Sequence, residues 1–285
     1  MATLFTEVHE GALGVKCSLN DKITLLGSCF ADNIGEKMQC GGFDVMVNPF
    51  GTLFNPASIA GAVHRLDSGE PFTEKDCVEM GAGAGRICSF EHHTRFARKS
   101  AEEFLHDANE RLDAARKHWS STGKVIITLG TAFVWEHRSH GIVANCLKRD
   151  GREFTRRMLD IRQCSDCLLE IVRAHSEKQF IFTVSPVRHP GQGAHGGTIS
   201  KATLHLAVDE VVASSEGCSY FPAWEIVCDE LRDYRFYGED LLHPSPTAIS
   251  IVWERFLQSA VPAGELQQIA ANEKAARMSS HRPLL

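Results

Sequence analysis

The chain has 285 residues, of which 43% are hydrophobic and 23% are charged, and its formal net charge is −6. This is ordinary globular composition with enough apolar material for a sizeable core. The slight acidity argues against a nucleic-acid partner, and no stretch reaches the roughly 18 uninterrupted apolar residues of a membrane-spanning helix.

The first ten residues, MATLFTEVHE, lack the basic and apolar regions of a signal peptide. We therefore expect a cytoplasmic protein that does not associate with membranes, and we expect its ten cysteines to be reduced thiols. The only CxxC pair, Cys164 and Cys167, lies in a window of helical periodicity and has no second pair to complete a zinc site. The sequence predicts neither a metal nor a cofactor.

Five short apolar runs, each leading into a turn-forming residue, predict the strands. They span residues 22–27, 43–51, 124–130, 179–186 and 218–223. The first and the third are almost unbroken apolar runs, which is typical of parallel strands that are covered on both faces.

Windows of helical periodicity lie between and after these strands. They span residues 30–39, 100–121, 156–177, 198–215 and 245–261. The alternation of strand and helix predicts the α/β class, with a parallel sheet and helices on both faces.

The segment 57–99 fits this alternation less well. It begins with a helical pattern and continues into a loop or hairpin, which we interpret as an insertion near the carboxyl edge of the sheet. No linker interrupts the chain. Residues 1–285 are therefore predicted to form one domain, with a final surface helix at about 262–278.

The first predicted strand ends in a motif that suggests chemistry, because Gly27 is followed by Ser28 and Cys29 where a helix begins. The first N–H groups of a helix lack intrahelical partners and favour negative charge. A nucleophile there would have donors for an oxyanion nearby. The alternative is that Ser28 is simply an N-cap, which is a common use of serine.

A second motif, Asp240-x-x-His243, stands just before the helix predicted near Pro246. Serine catalysis needs a base beside the hydroxyl and an acid that orients the base, and this turn can supply both. On its own the motif is weak evidence for catalysis, because the Asp of an ordinary turn can simply accept hydrogen bonds from backbone N–H groups. Ligands of parallel sheets bind at the carboxyl ends of the strands, so the two motifs together form the stronger signal.

The stretch 27–31, GSCFA, is the motif after which the GSCFA family is named, and the chain resembles that family. Further stretches resemble the family's blocks in the family's order: 48–60, 92–96, 125–135, 143–148, 182–189, 200–204 and 229–245. The family in turn resembles the SGNH, or GDSL-type, serine hydrolases.

The resemblance implies a three-layer α/β/α, flavodoxin-like fold and a catalytic triad. Ser28 would be the nucleophile, His243 the general base and Asp240 its orienting acid. The backbone N–H groups of Ser28 and Gly51 would donate to the oxyanion. The implied activity is that of an esterase or O-deacetylase on a small-molecule or carbohydrate acyl ester. An O-acyltransferase with the same triad and a weakly catalytic binding module are the alternatives.

One departure from the SGNH pattern concerns the oxyanion site. Many SGNH enzymes carry an Asn after the third strand, whereas this chain has the sequence GTAF at 130–133. Asn145 is expected to replace that donor, and Asn48 is the second candidate.

Two basic stretches are further candidates for substrate binding. Arg188 and His189 follow a strand end, where they could pair with a carboxylate or phosphate or could belong to a solvated loop. His92, His93 and Arg95 are weaker candidates, and no acidic residue has metal-ligand spacing to the histidines.

Cys29 is a rival nucleophile, because a thiol at a helix N-terminus often has a lowered pKa. Adjacent side chains point in different directions, so Ser28 and Cys29 should not both face His243. The resemblance favours Ser28, and Cys29 is expected to pack under the helix.

Overall fold

The computed structural model describes residues 6–9 and 11–280, and within them lie ten strands and eight α-helices. The strands are β1 (Lys22–Gly27), β2 (Asp44–Val47), β3 (Val78–Glu79), β4 (Ile87–Cys88), β5 (Lys124–Leu129), β6 (Phe133–His137), β7 (Gly141–Val143), β8 (Phe154–Met158), β9 (Gln179–Val184) and β10 (Cys218–Tyr220). The helices are α1 (Cys29–Gly41), α2 (Pro56–Ser68), α3 (Ala101–Ser121), α4 (Ile161–Ala174), α5 (Gly193–Ser214), α6 (Ala223–Glu225), α7 (Pro246–Ala260) and α8 (Leu266–Ser280).

Five strands form the central sheet in the order β10-β9-β5-β1-β2, and every neighbouring pair is parallel. Read along the chain, this is the 2-1-3-4-5 order of flavodoxin-like folds. The predicted α/β class with a parallel sheet is confirmed. The carboxyl ends of β1, β5 and β9 therefore lie side by side at one edge.

The sheet has a hydrophobic core on each face, because side chains of a strand alternate between faces. Leu25 belongs to the core under α1, α7 and α8, which also contains Phe30 and Trp253. Leu26 belongs to the core under α2 to α5, which also contains Phe104. Each fully buried side chain of this size stabilises the fold by about 1.5–3 kcal/mol. The layers are therefore helix, sheet and helix.

The clearest difference from the sequence prediction is a second, antiparallel sheet in the order β7-β6-β8. Residues 156–158 were expected to start a helix, but they pair with β6. The helix α4 begins only at Ile161, where Asp160 accepts the N–H of Gln163 at 2.7 Å and caps it. The predicted start of this helix was wrong.

Other boundaries differ by a few residues. The strand predicted at 43–51 ends at Val47, because Asn48 adopts a φ of +42° and starts a turn. The helix α5 begins at Gly193, five residues earlier than expected. In the segment 57–99, α2 packs on the core and is followed by the short β3–β4 hairpin.

Two buried lysines join β5 to β9, one at each end. At the amino ends, Lys178 Nζ donates to the carbonyl oxygens of Trp119 and Thr122 at 3.2 and 2.9 Å. At the carboxyl ends, Lys201 Nζ donates to the carbonyl oxygens of Gly130 and Ser185, both at 2.6 Å. Each ammonium group also lies near a tryptophan ring.

Within the described residues, no helix is both long enough and apolar enough to cross a lipid bilayer.

Candidate active site

The junction between β1 and α1 depends on Gly27, which has a φ of +142°. A Cβ atom at this position would lie 2.1 Å from the carbonyl oxygen of Thr128 in β5. Glycine therefore allows the end of β1 to approach β5 closely.

Ser28 is the last residue before α1, and its side chain is 0% exposed. Its N–H donates to Thr128 O at 3.0 Å, which continues the β1–β5 ladder by one residue. Its Oγ accepts the N–H of Phe30 at 3.3 Å, so Ser28 caps the helix. The predicted role of its N–H as an oxyanion donor conflicts with this bond, because the N–H already has an acceptor.

Cys29 is the first residue of α1 and is half-buried. Burial raises the pKa of its thiol, as does the nearby Asp32, whereas the N–H groups of Cys29 and Phe30 and the Lys201 ammonium lower it. The net direction is upward, so the lowered pKa expected from the helix N-terminus was wrong. Cys29 packs against the core under α1, as expected, and remains partly exposed.

Asp240 and His243 form the pair that the sequence suggested. His243 Nδ1 lies 2.6 Å from Asp240 Oδ2, and Asp240 Oδ1 accepts the N–H groups of His243 and Leu242 at 3.0 and 2.9 Å. These backbone bonds, followed by the imidazole, lower the pKa of Asp240 to about 2. Both side chains are about half exposed, and among the described residues Nε2 of His243 has no hydrogen-bond partner.

This loop lies against the loop that follows β9. The N–H of Arg188 donates to the carbonyl oxygen of Leu242 at 3.2 Å, and Gly238 closes the turn by donating to His243 O at 2.7 Å. Behind this loop, the pKa of His189 is lowered chiefly by burial and further by the nearby Lys201 ammonium. No hydrogen bond joins His243 to Ser28 or Cys29 within the described part of the chain.

Asn48 has a structural role at the carboxyl end of β1. Its Oδ1 accepts the N–H of Gly27 at 2.8 Å, and its Nδ2 donates to Asp32 Oδ1 at 2.7 Å. Both ends of the buried amide are therefore occupied, and nothing in this arrangement supports Asn48 as an oxyanion donor. The N–H of Gly51, a predicted donor, is likewise occupied by Asn48 O at 2.8 Å.

Asn145 follows β7, and its backbone N–H donates to Phe90 O at 3.2 Å. Its Oδ1 accepts the N–H of Leu147 at 2.8 Å. The amide nitrogen, Nδ2, has no hydrogen-bond acceptor among residues 6–9 and 11–280. Asn145 thus keeps a donor to offer, and its role as an oxyanion donor stays a prediction.

The stretch HHTRF packs beside the loop after β2. His92 is fully buried among four phenylalanine rings, and burial lowers its pKa to about 3. His93 Nδ1 accepts the N–H of Arg95, and the Arg95 guanidinium lies 4.0 Å from Asp32. These residues support the fold next to the β1–α1 junction, and His92 is inaccessible to a ligand.

A cavity of about 340 Å³ lies at the carboxyl edge, lined by residues that include Arg188, His189, Lys201, Trp224 and Leu242. Burial lowers the pKa of His189 to about 4, and its Nε2 is buried without a partner. The Arg188 guanidinium lies over the ring of Tyr237, 5.9 Å from its centre, and within the described residues it pairs with no carboxylate. The cavity is therefore rich in donors and poor in acids.

Lys201 is the residue of this region that the sequence analysis overlooked. Burial lowers its pKa to about 7. A signal was present, because Lys201 stands on the same helical stripe as the buried Leu204, Val208 and Val211. A lysine on an apolar face needs partners for its ammonium group.

One cluster with metal-ligand spacing occurs in the described residues, and it consists of His106, Asp107 and Glu110. It lies on the outer surface of α3, where Asp107 already pairs with Arg98 at 2.5 Å. It is remote from the β1–α1 junction in the chain and contributes nothing to that site.

The model of the GSCFA family matches residues 22–256. The chain belongs to the GSCFA family. No curated protein resembles this family member closely enough in sequence to count as a match.

Two solved structures resemble the family member weakly. One, from Streptococcus pneumonia and assigned provisionally as a platelet activating factor, is 10% identical with a TM-score of 0.39, and the match covers 83% of this chain and 84% of that one. The other is a carbohydrate esterase of family 2 with a carbohydrate-binding domain from Corynascus thermopiles (Myceliophthora fergusii). It is 13% identical with a TM-score of 0.41, over 90% and 68% of the two chains. At such low scores neither likeness bears on activity.

Proposed function

We propose that this GSCFA protein is an acyl-ester hydrolase in which His243 is the general base and Asp240 orients it. The single observation that carries the proposal is the 2.6 Å bond between Asp240 Oδ2 and His243 Nδ1. This bond holds the proton on Nδ1, so that Nε2 is free to accept a proton from a nucleophile. The same loop is tied to the carboxyl edge of the sheet through Leu242.

The nucleophile comes from the β1–α1 junction, where the chain offers Ser28 and Cys29 next to the start of a helix. Attack on an ester carbonyl would place negative charge on the carbonyl oxygen, which free N–H groups at a helix start stabilise. The Asn145 amide is our candidate for an added donor. The triad with Ser28, as expected from the resemblance, stays a prediction, and its buried hydroxyl does not favour it.

The substrate is a small-molecule or carbohydrate acyl ester. The cavity beside His189 is modest in volume, at about 340 Å³, which fits a short acyl or alcohol group better than a long chain. Arg188, which pairs with no carboxylate among the described residues, would suit a substrate that carries a carboxylate or phosphate.

The test is a panel of p-nitrophenyl esters of rising chain length together with acetylated sugars. The wild type should hydrolyse at least one short-chain member, and His243→Ala should lower kcat by about 10³-fold or more. His64→Ala, on the outward side of α2, is a matched control that should leave the rate unchanged. Equal rates for wild type and His243→Ala would refute the proposal.

One observation favours a second function, a ligand-binding module that performs little chemistry. The Ser28 hydroxyl caps α1 and has no described hydrogen bond to His243. Such a module would bind acetylated sugars without turnover, and its affinity would not depend on His243. An acyltransferase would instead show faster release of p-nitrophenol when an acceptor alcohol is added.

A further inference from the structure

We propose that the cavity at the carboxyl edge is an anion-binding subsite anchored by Lys201 and Arg188, and that its occupant is a carboxylate or phosphate group of the ester substrate. The inference rests on the proposed acyl-ester hydrolysis and deepens it, because it narrows the substrate to an anionic ester. Three features carry it: the uncompensated charge of Lys201, the composition of the cavity wall, and the position of the cavity next to the His243 loop.

Lys201 keeps an ammonium donor that the fold does not use. The residue is only 6% exposed, and two of its three N–H groups donate to the carbonyl oxygens of Gly130 and Ser185, both at 2.6 Å. Among the described residues, Nζ has no third acceptor and no carboxylate partner. The centre of the Trp224 ring lies 5.2 Å from Nζ, and both side chains line the cavity. A buried charge without a counter-ion is costly, and an anion in the cavity would supply the counter-ion.

The other buried lysine shows what Lys201 lacks. Lys178 also donates to two carbonyl oxygens and lies near a tryptophan ring, but Glu177 Oε1 lies 3.5 Å from its Nζ. The cavity beside Lys178 is lined by Glu177 and by two aspartates, Asp67 and Asp113. In the described part of the chain, no aspartate or glutamate lines the cavity beside Lys201. The fold therefore supplies counter-ions for one lysine and leaves that of the other to a ligand.

Two further parts of the cavity wall favour an anion. The guanidinium group of Arg188 pairs with no carboxylate among the described residues, and its planar fork matches the oxygens of a carboxylate or phosphate. The 22-residue helix α5 begins at Gly193, in the wall, with no acidic residue in its first turn. The side chain of Gln192 does not cap this helix, and its Nε2 donates to Thr131 Oγ1 at 2.6 Å. The positive end of the helix dipole thus lies at the cavity without a compensating charge.

The cavity adjoins the loop of the proposed base. Leu242, the residue before His243, lines the cavity, and its carbonyl oxygen accepts the N–H of Arg188 at 3.2 Å. An anionic group held by Arg188 and Lys201 would therefore lie beside this loop, and the rest of the substrate would extend towards His243. A cavity of about 340 Å³ has room for a small charged group. We therefore expect short esters that carry one anionic end.

The first experiment measures anion binding without any ester. Inorganic phosphate and acetate are each titrated at about pH 6, because burial lowers the pKa of Lys201 to about 7 and its ammonium group is then charged. The indole N–H signal of Trp224 in the NMR spectrum reports binding, and chloride at equal ionic strength is the control salt. We expect a saturable shift with at least one of the two anions, and the tighter one identifies the preferred group.

Variants then assign the binding to the proposed groups. Lys201→Met and Arg188→Gln should each weaken binding by about 10–100-fold, because each removes a charged hydrogen-bond donor. Lys178→Met is the matched control and should bind the anion as wild type does. Arg188 is exposed, so Arg188→Gln should fold even if Lys201→Met does not. Wild-type affinity in Arg188→Gln, or no saturable shift with either anion, overturns the inference.

The second experiment tests whether the anion belongs to the substrate. Two pairs of esters differ only in that an acid is replaced by its neutral amide. They are 4-carboxyphenyl acetate with 4-carbamoylphenyl acetate, and mono-p-nitrophenyl glutarate with its terminal amide. We expect the acid to have at least about tenfold higher kcat/KM than the amide in one pair, and that pair shows whether the charge lies on the alcohol or on the acyl side. If phosphate binds more tightly than acetate, phosphate monoesters replace the acids.

The preference for the acid should depend on the same two side chains. Arg188→Gln and Lys201→Met should reduce the ratio of kcat/KM for acid over amide by about tenfold or more, chiefly through KM, whereas Lys178→Met should keep the ratio. The anion from the first experiment should inhibit the charged ester competitively. An anion that binds while acid and amide react equally overturns the assignment to the substrate.

The two experiments separate this inference from the proposed function. If no ester is hydrolysed but phosphate or acetate binds in a manner that depends on Lys201 and Arg188, ester hydrolysis is refuted and the anion subsite is supported. If neutral esters are hydrolysed with dependence on His243 but neither anion binds, the hydrolase stands and the anion subsite is refuted.

Discussion

Asp240 Oδ2 lies 2.6 Å from His243 Nδ1, and Asp240 Oδ1 accepts two backbone N–H groups of the same turn. The carboxylate thus holds the loop through Oδ1 and, through Oδ2, determines which ring nitrogen of His243 carries the proton. The separation of these tasks between Oδ1 and Oδ2 allows the catalytic part to be tested apart from the structural part.

We predict that Asp240→Asn lowers kcat for the best ester by about 10²–10⁴-fold, because the amide can donate to Nδ1 and turn the wrong tautomer outward. Its Oδ1 can still accept the N–H groups of the turn, so the fold should persist. Asp233→Asn is the matched control, because Asp233 caps the neighbouring turn by accepting the N–H of Arg235 at 2.8 Å. Equal losses in the two variants would mean that Asp240 acts only on the loop.

We predict different outcomes for the two asparagines proposed as oxyanion donors. Asn48→Ala should lower the free energy of unfolding by about 2–4 kcal/mol, because it leaves the buried Gly27 N–H without a partner and forces alanine to a φ of +42°. Asn48→Gly should recover about 1 kcal/mol of this by relieving the backbone. Urea unfolding measures both, and equal stabilities of Asn48→Gly and wild type would contradict the role of the amide.

Asn145→Ala should instead lower kcat by about 10²–10³-fold with little change in KM, if its free Nδ2 donates in the transition state. The circular dichroism spectrum should not change, because Asn145 is only partly buried. A rise in KM at constant kcat would make Asn145 a ground-state binder of substrate.

The two buried lysines allow a matched comparison of the two edges of the sheet. Lys201→Met and Lys178→Met each leave two carbonyl oxygens without a charged donor, so each should cost about 2–4 kcal/mol of unfolding free energy. Only Lys201→Met should also lower kcat, by about tenfold or more, because only Lys201 lies at the carboxyl edge, where it lines the cavity together with His189. Equal kcat values for the two variants would mean that Lys201 has no role in catalysis.

The pKa of Lys201 predicts a dependence of stability on pH. Its value of about 7 in the fold lies below the ordinary 10.5, so between these values the unfolded chain holds a proton that the folded chain lacks. This group's contribution to stability is complete above pH 10.5 and is lost as the pH falls through 7. From about pH 7 to about pH 8.5, the unfolding free energy of wild type should rise by about 1–2 kcal/mol relative to Lys201→Met. A constant difference in urea unfolding would mean that the two carbonyls keep the ammonium charged.

Much of the fold could be predicted from the sequence, because β1, β5 and β9 are apolar runs whose burial needs no knowledge of their neighbours. The antiparallel sheet could not be predicted from the sequence. Its strand β8 reads FTRRM, and the two arginines alternate faces in a pattern too short to exclude a helix. Pairing with β6, not the local pattern, decides its conformation.

The sequence locates the junction between the first strand and its helix, with Ser28 as the last residue before α1, and the catalytic role of that junction stays a prediction. The sequence places Ser28 and Cys29 together at a strand end, but which of them faces the cleft depends on how far the β1–β5 ladder extends. That ladder is closed by Thr128, one hundred positions further along the chain. The hydrogen-bond partners of Lys201 could not be predicted from the sequence either, since both are backbone carbonyl oxygens that only the fold brings to it.

The lysines at the two ends of β5 and β9 also bear on strand slippage. Both strands are apolar on both faces, with the sequences KVIITL and QFIFTV, so a slip of two residues would return every side chain to its own face and keep it buried. Side-chain burial alone therefore specifies the register of this pair poorly. The same slip would move the carbonyl oxygens at both ends away from Lys178 and Lys201. It would leave two buried ammonium groups without hydrogen-bond acceptors. The two lysines at opposite ends therefore specify the register of β5 and β9, which the apolar residues between them do not specify.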